Sequence, residues 1–222
     1  ETNEWTELPS CPCLGRRHPA FVIQDDRLFV GLGDGTIGNL NDWWEYNFNT
    51  EEWIQHDNLP ALPRHHPFMF KAGGDVYAGM GHGGQVIYKD WFRFDLDTDE
   101  WTRMNDFPGE ARVAGTQFDF SGRGYVLSGD GDDHSFMQEG EFWQYNHFND
   151  TWEQLESHPG ISLWAPGSFT IGNQLYFMAG QNRVSNIIQD DMWTFNMETV
   201  SSIEEKTQNL STIIAYPNPA QD

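Results

Sequence analysis

Four short apolar, β-prone runs recur along the chain. Leu28-Phe29-Val30, Val76-Tyr77-Ala78, Tyr125-Val126-Leu127 and Leu175-Tyr176-Phe177 each lead to a glycine, namely Gly33, Gly81, Gly129 and Gly180. Runs of aromatic and β-branched residues bounded by turn formers predict strands. Ahead of each lies a second strand-like stretch, His18 to Ile23, His66 to Phe70, Gly115 to Phe120 and Gly167 to Ile171. Behind the first three an aromatic residue stands seven positions before a tryptophan, Tyr46 to Trp53, Phe94 to Trp101 and Tyr145 to Trp152. The Asn, Asp and Thr residues between them satisfy their own backbone or tolerate the left-handed region, so each phrase marks a junction of two antiparallel strands. Each unit therefore reads as four strands, a to d, with tryptophan near the start of d.

Trp5, Trp53, Trp101 and Trp152 fall at spacings of 48, 48 and 51. A fixed period of this length is the signature of a repeat architecture. The four strands per unit, the glycine after strand b and the spaced aromatic–Trp pair together resemble the Kelch repeat, over residues 1 to about 200. Kelch units carry a Gly-Gly doublet after strand b; here its first member is Leu32, Met80, Ser128 or Ala179. The resemblance implies an all-β propeller of four-stranded blades, with the tryptophans packing blade against blade and the retained glycines meeting a backbone demand.

The fourth unit runs through Met192-Trp193-Thr194-Phe195-Asn196, but Ser202 stands where its tryptophan is expected. Trp5-Thr6-Glu7-Leu8-Pro9 in turn reads as a strand d with no a, b or c before it. The economical expectation is a four-bladed ring over 1–200, its fourth blade completed by the N-terminal strand so that no edge stays open. The alternative is a fragment of a larger propeller.

Composition fits an all-β reading: 10 Trp, 16 Phe, 22 Gly and 11 Pro suit an aromatic core joined by tight turns. The formal charge of −22, from 34 acidic against 12 basic residues, excludes a phosphate-tracking surface, so no nucleic acid partner is expected. No apolar run approaches the ~18 residues that span a bilayer. The chain opens on Glu1 and not on Met, as expected of a processed protein or a fragment. Cys11 and Cys13 flank Pro12, and either a small bridge or two incidental thiols is open.

A polar stretch over 201–212 reads as a linker, and 213–222 ends in Tyr216-Pro217-Asn218-Pro219 and three further residues. That ending resembles the opening of the C-terminal sorting domain of type IX secretion cargo in Bacteroidota. The resemblance implies a secreted or outer-membrane-surface protein, partnered in transit by the type IX translocon and its shuttle proteins.

In a propeller the d–a and b–c loops gather around one mouth of the channel. At those positions stand two candidate rings: Arg16, Arg64 and Arg112 with Trp164, and Asp34, His82, Asp130 and Gln181 directly after the retained glycines. His18 and His66 flank the first, and Asp132, Asp133 and His134 extend the second. Three arrangements compete. Arg and Asp of neighbouring blades pair around a wet channel; or the arginines and Trp164 hold a glycan or protein ligand; or Asp34, His82 and Asp130 bind a divalent metal, which the facing arginines disfavour. No other cofactor is expected. No Ser-His-Asp set, phosphate loop or HExxH motif is present. The Kelch family includes sugar-acting enzymes, sialic acid mutarotases and galactose oxidase among them, but no copper ligand set of the latter kind is recognisable. The leading expectation is a non-enzymatic binding module; the rival is a mutarotase- or hydrolase-like enzyme using Asp34, His82 and Asp130.

Overall fold

The computed structural model describes residues 3–131 and 134–198. Their backbone forms four principal antiparallel sheets, one per repeat unit. Unit 1 comprises β1 (Ala20–Gln24), β2 (Arg27–Gly31), β3 (Trp43–Asn47) and β4 (Glu52–His56); unit 2 comprises β5 (Phe68–Ala72), β6 (Asp75–Gly79), β7 (Trp91–Asp95) and β8 (Glu100–Met104). Unit 3 holds β9 (Thr116–Phe120), β10 (Arg123–Leu127), β11 (Gly140–Asn146) and β12 (Thr151–His158). Unit 4 holds β13 (Gly167–Ile171), β14 (Gln174–Met178) and β15 (Met192–Asn196). Strands follow one another in chain order across every sheet.

Local chemistry sets the turns. Strand pair β1–β2 closes on two residues, with Gln24 opposite Arg27 and Asp25 at φ 53°, as a tight right-twisted hairpin requires. At the c–d junctions Asn47 Oδ1 accepts the N–H groups of Asn49 and Thr50 at 2.9 and 3.1 Å, and Asp95 Oδ1 does the same for Asp97 and Thr98 at 3.0 and 3.1 Å. These turns put the spaced aromatics directly opposite their tryptophans: Tyr46 faces Trp53, Phe94 faces Trp101 and Tyr145 faces Trp152.

Neighbouring sheets pack through those tryptophans. Trp101 of β8 sits edge-on to the buried Trp43 of unit 1, ring centres 4.9 Å apart, and Trp152 of β12 meets Trp91 of unit 2 at 5.4 Å. Aromatic pairs in such geometries add about 1 kcal/mol each beyond their burial. The backbones approach closely between units 2 and 3, where a Cβ on Gly124 would lie 1.9 Å from the Phe70 ring.

Two expectations are refined. Leu32, Met80, Ser128 and Ala179 keep the left-handed backbone of the doublet position, with φ between 54° and 62°. Each unit therefore bears a strain of about 1–2 kcal/mol that a glycine would avoid. The strand expected over Trp5 is not formed: residues 3–13 join no ladder, and Trp5 is fully exposed. What holds this segment is unit 1, because Trp53 Nε1 donates to Pro9 O at 2.7 Å. Among the described residues β15 is thus the free edge of the fourth sheet. Cys11 and Cys13 are joined by a disulfide, Cα atoms 5.1 Å apart. The 201–212 linker, the 213–222 ending, and Asp132 and Asp133 lie outside the described residues.

Candidate functional site

The first arginine ring proves to be a set of latches inside each unit. Arg16 Nη1 and Nη2 each donate to the Asp42 carboxylate at 2.7 Å, and Nη1 also reaches Leu32 O at 3.0 Å. Arg64 repeats this on Asp90 and Met80 O, and Arg112 on Glu141 and Ser128 O. Trp44 Nε1 and Trp143 Nε1 donate to the same carboxylates, Asp42 and Glu141, at 2.8 and 2.7 Å. Burial alone would lift Asp42, but the Arg16 and Trp44 donors hold it below the ordinary carboxylate range. Arg64 and Arg112 are fully buried, and burial pulls the Arg112 guanidinium down against the opposing pull of Glu141. The arginines therefore pair within a unit, not between neighbours, and have little left to offer a ligand.

Trp164 does not belong to that ring. Backbone bridges join Arg17 to Asp34, His65 to His82, Val113 to Asp130 and Trp164 to Gln181, so Trp164 is the equivalent of Arg17, His65 and Val113. Leu163 takes the latch position in unit 4, whereas Asp191 keeps the carboxylate position of Asp42, Asp90 and Glu141, its carbonyl accepting from Ala179 N–H as theirs accept from Leu32, Met80 and Ser128. The b–c loop of unit 3 is longer by three residues, so the spacing from unit 3 to unit 4 is 51 instead of 48, which shifts the frame.

The second ring has four different environments. Asp34 is bonded to Arg17, with Nε to Oδ2 at 2.8 Å. Gln181 Nε2 donates to Asn186 Oδ1 at 2.6 Å. His82 Nδ1 lies 3.4 Å from His65 Nε2, and its ring meets His134 edge-on at 4.6 Å. Asp130 is completely buried, and neither carboxylate oxygen has a hydrogen-bond partner. Its nearest cation is Arg183, Nε to Oδ2 at 3.5 Å, whose guanidinium stacks 5.2 Å over the Trp164 ring. Burial lifts Asp130 to about 6, with Arg183 pulling the other way.

Loops of all four units converge here. His18 of unit 1 stacks on His66 of unit 2 at 3.9 Å, His66 meets Trp164 of unit 4 at 5.4 Å, and His134 of unit 3 meets Trp164 at 5.8 Å. Burial, then repulsion from His18, His65, His134 and His82, lowers His66 to about 3, so it is neutral at physiological pH. Burial also lowers His65, with Asp34 opposing. Among the described residues no three potential metal ligands converge. The mouth can therefore present an aromatic face, neutral imidazoles and one buried carboxyl–guanidinium pair to a hydroxyl-bearing ligand. Arg183 had no periodic signal, since its equivalents in units 1 to 3 are Thr36, Gly84 and Asp132.

No protein-family model matches the chain, and no curated protein matches it either. Among solved structures it is similar to YjhT, with a TM-score of 0.73 at 14% identity. The match covers 86% of this chain and 65% of YjhT, so the chain spans less than two thirds of that protein's length. The likeness shows the fold: the chain has an all-β architecture of the β-propeller type.

Proposed function

We propose that the chain is a Kelch-like propeller module, secreted or displayed on the outer-membrane surface, that binds a glycan at its channel mouth. The observation carrying this is the buried Asp130 carboxylate, which accepts no hydrogen bond and pairs with Arg183 at 3.5 Å, with Arg183 lying on the Trp164 ring. A buried carboxyl group without a hydrogen bond costs free energy that a ligand hydroxyl or amide would recover, and a half-buried indole with an adjacent guanidinium suits a sugar face. A glycan-array screen of the purified chain tests this. Binding should fall by roughly tenfold or more in Trp164→Ala and Asp130→Ala, in keeping with anchors in desolvated pockets. Binding unchanged in both would remove the proposal.

Export as type IX cargo is supported by Tyr216-Pro217-Asn218-Pro219 and by the cysteines being bridged, as oxidising compartments allow. Its test is the location of the full-length protein in cells with and without the translocon. Intracellular retention in the first would overturn it. A second reading, a sugar-active enzyme, is favoured by Asp130 alone, because a carboxyl group near 6 suits general acid–base work. Turnover of a bound sugar with a pH profile abolished in Asp130→Asn would select it.

A further inference from the structure

An empty tryptophan socket lies between units 3 and 4. In units 2 and 3 the strand-d tryptophan fills a three-sided cage. Trp101 packs against Trp43, Phe94 and Leu59; Trp152 packs against Trp91, Tyr145 and Phe107. Each cage combines the start of strand c of the preceding unit, the aromatic of its own strand c, and the loop residue that precedes a proline (Pro60, Pro108). Advancing the repeat once more gives Phe142, Phe195 and His158, the last before Pro159. Those three line one cavity of about 250 Å³, with Leu127, Leu175 and Phe177. Phe142 and Phe195 are 5.3 Å apart, and no tryptophan stands between them. Beside the cavity β15 has no outer neighbour among the described residues, so its edge is open as well.

The chain also carries an unused strand d. Trp5 stands 48 residues before Trp53, and Glu4-Trp5 repeats the Glu52-Trp53 and Glu100-Trp101 pairs. Pro9 O accepts from Trp53 Nε1, as Asp57 O does from Trp101 Nε1 at 2.9 Å, both across 44 residues. The segment is thus held in the register of a strand that precedes unit 1, while Trp5 itself touches solvent only. Among the described residues no tryptophan fills the socket.

We infer that Glu4-Trp5-Thr6-Glu7-Leu8 of a second copy adds to β15 as its fourth strand, with Trp5 opposite Phe195 in the cavity. Strand addition satisfies the edge through backbone hydrogen bonds, and the socket gives specificity through one anchor. Joining the front of one copy to the back of the next is a heterologous, head-to-tail contact. Each copy carries a formal charge of −22, so added salt, which screens like charges, tightens the association.

The register places Thr6 opposite Thr194, as Thr102 is opposite Arg93. Both threonines are exposed, so cysteines there leave the core untouched. An equal mixture of isotope-light and isotope-heavy full chain carrying Thr6→Cys and Thr194→Cys is oxidised and its linked peptides are weighed. The expected result is light–heavy peptides in the statistical share, a mass in solution that grows with concentration, and a loss of that growth on the order of tenfold in Trp5→Ala. Exclusively light–light and heavy–heavy peptides would show that the strand closes on its own chain and overturn the inference. Absence of any linked peptide would overturn it too.

Discussion

Arg64 and Asp90 face each other within one repeat unit, Nη2 to Oδ2 at 2.9 Å, with the guanidinium wholly removed from solvent. The pair ties the loop before strand a to the start of strand c. It thereby fixes the base from which His65 and His66 project into the mouth, and the same device recurs at Arg16–Asp42 and Arg112–Glu141.

Removing one partner of a buried pair leaves the other uncompensated. Arg64→Ala is expected to lower the stability of the chain by about 3 kcal/mol, read as a shift of the urea midpoint. Arg16→Ala should cost less, because Arg16 keeps slight contact with water.

The fourth unit keeps the latch carboxylate as Asp191 and carries Leu163 in place of the arginine. Leu163→Arg sets a guanidinium against that carboxylate as in the other units, and Asp191→Ala in the same background leaves the guanidinium buried and unpaired. The cycle built from Leu163→Arg and Asp191→Ala should show a coupling of at least ~1.5 kcal/mol. Strictly additive effects would show that the repeat frame assigned to unit 4 is wrong.

Asp130 has a folded-state value raised from 3.8 to about 6. Its contribution to stability is therefore fully present below pH 3.8 and lost as the pH rises through 6. Asp130→Asn should stabilise the chain at pH 8 by about 2–3 kcal/mol and change little at pH 4. Thermal unfolding at the two pH values checks this, and the gain should accompany loss of the glycan binding proposed above.

His66 behaves in the opposite sense. Its folded value, about 3, lies below the ordinary 6.5, so the unfolded chain takes up the proton first as the pH falls. Stability attributable to His66 is complete above pH 6.5 and declines towards pH 3, by roughly 1.4 kcal/mol per pH unit for one proton. His66→Gln should flatten that slope in chemical denaturation series.

The repeat was legible because its chemistry is local and periodic. Turn formers such as Asn47 and Asp95 act within three residues of themselves, and the aromatic–Trp pairs are opposed as soon as a hairpin forms. The loop residues around the mouth were legible only as positions. Arg64 and Asp130 are both charged residues at ring positions, yet one is latched and the other has no hydrogen-bond partner. Nothing in the spacing distinguishes them, since their partners, Asp90 and Arg183, are 26 and 53 residues away.

By itself the sequence determined the number of repeat units in this chain, the strands within each and the register of Tyr46, Phe94 and Tyr145 on their tryptophans. These follow from backbone geometry over a few residues. Only the tertiary structure decided that the arginines turn inward, that Trp164 belongs with His65 and not with Arg64, and that Trp5 stays exposed. Those outcomes depend on which long-range partners reach a buried charge or an open edge first, and a single chain of letters holds no distances.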